Sequence, residues 1–438
     1  MQHIAVIGGG LAGCECAWQL ARHNTRVTLF EMRPERTTPA HETDLLAELV
    51  CSNSFRSSEE LTAIGLLKEE MASLDSLIMQ AARATAIPAG KALAVDRTEF
   101  ARFVTNVLEE HENITLIREE ITSLEDPRLM DVDKIVLAAG PLASEALSDD
   151  LKKRIGDGKN GAGLYFYDAI APIVDAASVD MDKAFWGSRY LPEDTDYLNC
   201  PLTEQEYKTF VQALVDGEKV IPREFEKEIH FEGCMPVEVM AERGEMTLAF
   251  GPLKPVGLVD PKTGEQPYAV LQLRAENKDK TAFNMVGFQT KLTYPEQKRI
   301  FRMIPGLEGA EFLRLGSIHR NTYVNAPEVL NPDLSLKSVP KVHLAGQITG
   351  VEGYLESAAC GMWLGLHLGA GVGHAPETTA LGALMAHLRR PVKKFQPSNA
   401  NFGLMPALNR RAPKKMRKEL YAARTREDWA AWRGDQNL

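Results

Sequence analysis

The sequence predicts an α/β fold, in which a Rossmann-like parallel sheet domain is interrupted by a smaller α/β or mainly β domain. Three observations predict it. A glycine-rich turn follows an apolar strand at the amino end, and two later apolar runs also end in small residues and glycine. Between those two runs lies a long stretch of short strand-like segments separated by Pro and Gly turns. We expect the sheet domain to span residues 1–165 and 340–438 and the insertion to span 166–339.

The amino-terminal segment is the first of these elements. An apolar strand at Ile4 leads through a glycine-rich turn into a helix, and a second strand, "RVTLFE", follows. This is the order of a βαβ unit that binds a dinucleotide, in which the helix N-terminus faces the phosphates. Glu31 ends the second strand 18 residues after Gly13, at the spacing of a carboxylate that binds a ribose diol. The turn residues that we assign to the dinucleotide are Gly8, Gly10, Leu11, Ala12 and Gly13.

Two later segments indicate which dinucleotide is bound. "DKIVLAAGP" ends a short strand at Gly140, and "KVHLAGQITGVEGYLESAACG" from Lys341 is a strand, a glycine turn and a helix rich in small residues. Together with the amino-terminal turn, they are typical of the three segments that contact FAD in flavoproteins with two dinucleotide folds. The further FAD contacts that we predict are Gly140, Gly346, Gln347, Gly350 and Tyr354. No second fingerprint is present, so NADPH or NADH would dock transiently as the reductant.

Composition excludes several other classes of protein. The six cysteines are scattered, without a C-x-x-C pair or clustered histidines, so neither a disulfide framework nor a metal site is expected. No run of 18 uncharged apolar residues and no leader-like segment occurs, which predicts a cytoplasmic protein without a membrane partner. We also expect no obligate protein partner.

The charge of the chain is unevenly distributed. The formal net charge is -10, yet the segment from Arg389 to Arg433 holds 13 Lys or Arg against 3 acids. A basic segment on an acidic body is either a solvated basic helix or a contact for a nucleic-acid backbone. Composition alone leaves both interpretations open.

Cys234, in "FEGCMPVEVM", poses the central question of the sequence. A free cysteine is most often inert core, and a nucleophile needs a special environment. Long strings indicate which applies, namely "VCSNSF" at 50–55, "FEGCMPVEVMA" at 231–241, "GFQTKLTYPEQKRIFRMIPGLE" from 287, "GSIHRNTYVNAP" from 316, "AGQITGVEGYLESAACG" from 345 and "FQPSNANFGLMP" from 395. Nearly end to end, the chain resembles the folate- and FAD-dependent tRNA (uracil-5-)-methyltransferases. The "AGQITG" part is shared with the flavoprotein that modifies wobble uridines, so the cysteine-bearing strings carry the distinction.

The resemblance implies a specific reaction. It implies methylation of C5 of a uridine at position 54 in the T loop of tRNA, with methylenetetrahydrofolate as carbon donor and reduced FAD as reductant. A thiolate that adds to C6 of uracil makes C5 nucleophilic, and Cys234 aligns with this nucleophile. Cys51 aligns with the second functional cysteine of the family, either as general base for the C5 proton or as the group that holds or shields the flavin-bound carbon. The alternatives are the same chemistry on ribosomal RNA, or a small-molecule FAD oxidoreductase.

Several further residues are candidates for substrate binding. His319 and Arg320 either polarise a uracil carbonyl, hold the glutamate of the folate, or are satisfied polar residues of a loop. The candidate contacts to RNA phosphates are Lys291, Arg389, Arg390, Arg410 and Arg411. The bound uridine must be extruded before its C6 can be reached, and contacts to the RNA backbone would offset the cost.

Overall fold

The computed structural model describes residues 1–38, 40–156, 163–220, 235–408, 413 and 416–438, with the backbone alone at 163–168, 319 and 320. The strands are β1 His3–Ile7, β2 Arg26–Phe30, β3 Ser54–Ser57, β4 Ala86–Ile87, β5 Ala92–Val95, β6 Ile114–Ile117, β7 Lys134–Leu137, β8 Gly163–Ala169, β9 Ile173–Asp175, β10 Phe185–Trp186, β11 Tyr197–Leu202, β12 Ala269–Ala275, β13 Ala282–Met285, β14 Phe312–Arg314, β15 Ile318–Val324 and β16 Val342–Leu344. The α-helices are α1 Leu11–Arg22, α2 Ala63–Ala72, α3 Leu77–Ala84, α4 Arg97–Glu109, α5 Glu145–Ile155, α6 Glu204–Asp216, α7 Val237–Glu242, α8 Thr247–Phe250, α9 Tyr294–Phe301, α10 Ala326–Val329, α11 Tyr354–Ala370, α12 Ala380–His387 and α13 Arg417–Gln436.

The first sheet has five parallel strands in the order β16-β7-β1-β2-β6. Strands β1, β7 and β16 are buried on both faces over most of their length, whereas β6, at the edge of the sheet, is only partly buried. The first strand of the chain lies at the centre, and β7 and β16 follow on one side of it. The turns after β1, β7 and β16 therefore meet at one edge of the sheet, which confirms the predicted Rossmann-like arrangement.

Helices α1 and α11 cross in very close contact above this sheet. A Cβ atom at Gly361 of α11 would lie 2.1 Å from the carbonyl oxygen of Ala12, and one at Gly365 would lie 2.8 Å from that of Cys16. Only glycine permits such an approach of two backbones. The small residues of α11 thus bring its N-terminus to the turn that follows β1.

A second, antiparallel sheet is inserted between β7 and β16. Its strand order is β10-β11-β12-β13-β9-β14, and the buried side chains of Tyr207, Phe210, Phe288 and Phe301 form the centre of a separate hydrophobic core. This observation confirms the inserted antiparallel domain. Short strands outside the insertion add Ile87 and Ala94 to that core, while the core of the first sheet extends back to Tyr323. The domain limits given above stay a prediction.

Helix α13, in the basic carboxy-terminal segment, is docked on the protein. The indole Nε1 of Trp429 in α13 donates to the hydroxyl of Ser73 at 2.9 Å, and Arg426 forms an ion pair with Glu69 at 2.6 Å. Part of its positive charge is therefore used within the chain. Within the described part of the chain, no helix is both long and apolar enough to span a bilayer.

The crossing of α1 and α11 yields a stability prediction. Gly361→Ala should lower the free energy of unfolding by about 1–3 kcal/mol, because the new methyl group meets backbone that has no room to move. Urea denaturation followed by circular dichroism measures the change. Gly434→Ala in α13 is the matched control: a Cβ there meets nothing within 4 Å, so stability should stay constant or rise slightly. Equal losses in the two variants would contradict this account of the crossing.

Candidate functional site

A groove runs along the edge where the turns after β1, β7 and β16 meet. The predicted residues that line this groove are Gly8, Gly10, Leu11, Ala12, Glu31, Gly140, Gly346, Gln347 and Tyr354. Two other predicted residues lie beside it. Gly13 packs against the backbone of Gly8, and Gly350 packs against the ring of Phe395. The tertiary structure thus brings together residues from both ends of the chain in one binding surface.

One end of the groove is built to bind a ribose. Glu31 accepts hydrogen bonds from the backbone N–H of Gly9 and from Nε of Arg33, both at 2.8 Å. Burial alone would raise the pKa of Glu31, but the bonds from Arg33 outweigh burial and hold that pKa below its ordinary value. The carboxylate therefore stays ionised and can accept hydrogen bonds from a diol.

The middle of the groove fits a pyrophosphate. Gly10 is the N-cap residue of α1, its side is open, and a Cβ there would meet nothing within 4 Å. A Cβ at Gly140 across the groove would also meet nothing within 4 Å. Backbone N–H groups at the start of a 12-residue helix attract anions, and the missing side chains leave space for one. These residues fit FAD as the group that the groove holds.

Cys51 lies next to the groove and is bonded to its wall. The hydroxyl oxygen of Tyr354 accepts hydrogen bonds from the backbone N–H of Cys51 at 2.8 Å and of Ser52 at 3.2 Å. The same oxygen lies 2.9 Å from Sγ of Cys51. Because a tyrosine oxygen has two lone pairs, its hydrogen is the atom left to face the sulfur. Tyr354, the first residue of α11, thus joins Cys51 to the groove.

We call residues 49–53 the Cys51 loop. Besides Tyr354, three arginines hold it. Nη1 of Arg97 donates to the carbonyl of Leu49, and Nη1 of Arg314 donates to the carbonyl of Val50 at 2.9 Å. Arg274 donates to the hydroxyl of Ser52 at 2.8 Å and to Oδ1 of Asn53 at 2.9 Å. Each residue of the loop therefore has a bond to a cation or to Tyr354, which fixes the loop and leaves Cys51 partly exposed.

The inserted sheet supplies part of this network. Arg274 is at the end of β12 and Glu276 follows two residues later, so both side chains lie on the same side of the strand. Glu276 accepts two hydrogen bonds from Arg97, at 2.9 and 3.1 Å. Burial alone would lower the pKa of Arg97, but the charge of Glu276 outweighs burial and holds that pKa above its ordinary value. Arg97 is consequently charged beside the loop.

The tyrosine is a permanent hydrogen-bond donor. Burial, and after it the negative charge of an ionised Cys51, raise the pKa of Tyr354 well above its ordinary value. The hydroxyl therefore keeps its proton throughout the neutral and alkaline range. A sulfur atom at Cys51 always faces an O–H group there.

Cys234 lies outside the described residues, as do Arg410 and Arg411. Helix α7 begins at Val237, three residues after Cys234. The buried carboxylate of Glu238 accepts hydrogen bonds from the N–H of Lys291 at 2.6 Å and the hydroxyl of Thr290 at 3.0 Å. The start of α7, immediately after the Cys234 segment, is thereby attached to the loop before α9.

The structure places the other candidate substrate residues in different environments. His319 and Arg320 lie in β15, opposite Asp168 and Tyr167 of β8. The side chain of Lys291 is buried in the inserted domain, which does not favour contact with an RNA phosphate. Arg389 is half-buried, and its Nε donates a hydrogen bond to the carbonyl of Met385. Arg390 is exposed and forms an ion pair with Glu377.

Four charged residues around Cys51 were missed by the sequence analysis: Arg97, Arg274, Glu276 and Arg314. Arg97 follows Asp96, the N-cap residue of α4, and an arginine at the start of a helix gives no sign of a distant partner. The alternation of Arg274 and Glu276 at the end of a long apolar run is a weak signal for a buried charge network. For Arg314 the sequence gives no signal, because its contact with Val50 joins residues 264 positions apart.

Comparison with known proteins identifies relatives along the whole chain. Residues 3–375 match the family described as glucose inhibited division protein A. The methylenetetrahydrofolate--tRNA-(uracil-5-)-methyltransferase TrmFO of Oleidesulfovibrio alaskensis is 64% identical, covering 98% of this chain and 96% of that protein. The protein with the same description from Aquifex aeolicus is 52% identical, covering 100% of this chain and 98% of its own. A solved structure of Aquifex aeolicus GidA has a TM-score of 0.68 at 15% identity, over 98% of this chain and 73% of that one, which shows a shared fold.

The role of the Tyr354 hydroxyl as the acceptor shared by two backbone N–H groups can be tested directly. Tyr354→Phe leaves the N–H groups of Cys51 and Ser52 without their acceptor, so the free energy of unfolding should fall by about 1–3 kcal/mol. Urea denaturation measures this loss, and hydrogen exchange at the two amides should become faster. Tyr294→Phe, at an exposed position on α9, should change neither quantity. Unchanged exchange at both amides in Tyr354→Phe would refute the role assigned to the hydroxyl.

Proposed function

The chain belongs to the glucose inhibited division protein A family and, within it, to the methylenetetrahydrofolate--tRNA-(uracil-5-)-methyltransferases, and we propose that it methylates the uridine at position 54 in the T loop of tRNA. Methylenetetrahydrofolate donates the carbon and FAD is the resident cofactor. The observation that carries the proposal is the position of Cys51. Cys51 is partly exposed and is bonded to the wall of a groove that fits FAD, which supports a role for its sulfur in the family's chemistry.

The residues of the groove would contact the ribose, the pyrophosphate and the ring of FAD. Glu31 would bind the ribose, and the start of α1 at Gly10 would bind the pyrophosphate. The start of α11 would face the ring, with Tyr354 beside it. When bound, the flavin would supply the two electrons that bring the transferred carbon to the methyl level.

The two cysteines divide the work on the base in this proposal. The thiolate of Cys234 adds to C6 of uracil, which places electron density on C5 and makes that carbon a nucleophile. Once C5 has accepted the one-carbon unit, Cys51 removes the proton from C5 as that carbon separates from its carrier, which leaves a methylene group on C5. A hydride equivalent, which reduced flavin would supply, converts the methylene to a methyl group, and Cys234 then leaves as the C5–C6 double bond re-forms. The support for Cys51 as the base is its hydrogen-bonded, partly exposed sulfur. The support for Cys234 is the string "FEGCMPVEVMA", in which it aligns with the nucleophile.

NADPH or NADH would reduce the flavin after docking transiently. The absence of a second glycine fingerprint in the sequence supports a transient site rather than a permanent one. RNA would contact the protein through exposed cations such as Arg390 and the neighbouring Lys393 and Lys394. Because part of the basic segment is docked on α2, we propose that shape and only some of these charges recognise the tRNA.

A methylation assay tests the proposal for the cysteines. Purified protein is incubated with undermodified tRNA, methylenetetrahydrofolate and NADPH, and 5-methyluridine at position 54 is measured by mass spectrometry of digested tRNA. Wild type should form the product, while Cys51→Ala and Cys234→Ala should form at least a hundredfold less, since each loses an obligatory group. Cys200→Ala, at a buried position of β11, should keep most of the activity. Product on ribosomal RNA alone, or full activity in Cys234→Ala, would contradict the proposal.

A second experiment tests the groove. Gly10 has φ -78° and ψ -176°, a conformation that any residue adopts, and its side faces open space. Gly10→Val should therefore fold, yet its branched side chain should occupy the space for the pyrophosphate. The absorbance of bound flavin near 450 nm, relative to protein, should fall at least tenfold with little change in thermal stability. Gly309→Val, exposed in the inserted domain, is the control and should keep its flavin.

A further inference from the structure

The Cys51 loop lies in an excess of positive charge. Three guanidinium groups are bonded to it, from Arg97, Arg274 and Arg314, while two carboxylates accompany them. Glu276 is buried and takes two bonds from Arg97. Glu42 lies 3.3 Å from Arg314, but its side chain is 60% exposed, so water screens its charge. Over these five groups, one positive charge is in excess. The exposed carboxylate of Glu42 also offsets less positive charge than the buried carboxylate of Glu276 does.

Other titratable groups also lie in this region. Burial raises the pKa of Tyr354, so the tyrosine is a neutral donor. His41 lies near Arg314, and burial lowers its pKa to about 4, so it is uncharged at neutral pH. Other charged groups also lie near His41, namely Arg33, Glu31 and Glu48, and Arg33 is paired with both carboxylates, at 2.8 and 3.0 Å. Burial lowers the pKa of Arg274, but the ordinary value of arginine is above 12 and the side chain remains charged. The cations bonded directly to the Cys51 loop are thus three arginines, and Glu276 and Glu42 are the carboxylates paired with two of them.

Each guanidinium bonds an atom no more than two residues along the chain from Cys51. Charges that close, in a partly buried site, favour the ionised form of a cysteine by an amount that shifts its titration by one unit or more. Reactive cysteines in general occupy such electropositive, partly exposed sites. Tyr354 adds an O–H bond to the sulfur, which also favours the anion.

We propose that Arg97, Arg274 and Arg314 are positioning residues that keep Cys51 in its thiolate form, and that the inserted sheet sets the strength of this effect through Arg274 and Glu276. The inference rests on the proposed function, in which Cys51 accepts the C5 proton, because a thiolate can accept that proton and a thiol cannot. The proton moves from C5 to the sulfur, and the arginines keep their own protons.

The test is the pH dependence of alkylation at Cys51. The purified holoenzyme is treated with iodoacetamide, and the rate at Cys51 is measured by mass spectrometry of its peptide between pH 5 and pH 10, a range set by the ordinary titration of thiols. Arg274→Gln removes a positive charge, so the midpoint should rise by about one pH unit, with roughly tenfold slower alkylation below it. Glu276→Gln removes the carboxylate that neutralises Arg97, so the midpoint should fall.

Opposite shifts separate an electrostatic role from a structural one. If these residues only held the loop in shape, both substitutions would loosen it and would move the profile in the same direction. Shifts of the same sign, or no shift in either variant, overturn the proposal. The exposed Arg299 and its half-buried partner Glu296 on α9 provide matched controls, because Arg299→Gln and Glu296→Gln should leave the profile unchanged.

A second pair keeps the test available if Arg274→Gln or Glu276→Gln does not fold. Arg314→Gln and Glu42→Gln carry the same opposite expectations, with a smaller fall for Glu42→Gln because its carboxylate is exposed. Alkylation needs neither tRNA nor folate, so its outcome is independent of the methylation assay. Opposite shifts without 5-methyluridine formation would count against the proposed function alone, whereas methylation with an unshifted profile would count against this inference alone.

Discussion

The hydroxyl of Tyr354 is the interaction on which the site depends. One oxygen atom accepts the N–H groups of Cys51 and Ser52 and presents its hydrogen to Sγ. Because Tyr354 begins α11, its position follows from the close crossing of α11 with α1, and that crossing is possible only because Gly361 lacks a side chain. The packing of two helices therefore determines where a sulfur atom lies beside the groove. A small change in that packing would move Tyr354 and therefore the sulfur of Cys51 that its hydroxyl contacts.

The site is also the junction of two hydrophobic cores. The Cys51 loop belongs to the first sheet's side of the molecule, yet Arg274 and Glu276 reach it from the end of β12 in the inserted sheet. Asn53 strengthens the junction, since its Nδ2 donates to the carbonyl of Ala275 at 3.0 Å. Arg274 and Arg314 come from the inserted sheet and Arg97 comes from α4, whereas the turns that line the groove follow strands of the first sheet. This division lets the insertion influence chemistry without lining the groove.

Much of the fold followed from periodicity and glycine spacing. The strand, turn and helix around Gly10 are local features, so the sequence predicted them. The environment of Gly350 could not be predicted from the sequence. This glycine lies in the predicted turn after β16, but it packs against the ring of Phe395, a residue distant in the sequence, rather than lining the groove. Lys291 looked like a surface cation and is buried, because the segment around it is bonded to Glu238.

The sequence by itself determined the dinucleotide-binding unit, the inserted β domain and the family to which the chain belongs. These depend on local spacing and on long strings of residues, both of which a sequence contains. Only the tertiary structure decided which charges surround Cys51, because Arg97, Arg274 and Arg314 come from three distant segments and meet through packing. The energy of a charge depends on its distance from other charges and on burial, and neither quantity can be read from a linear order of residues.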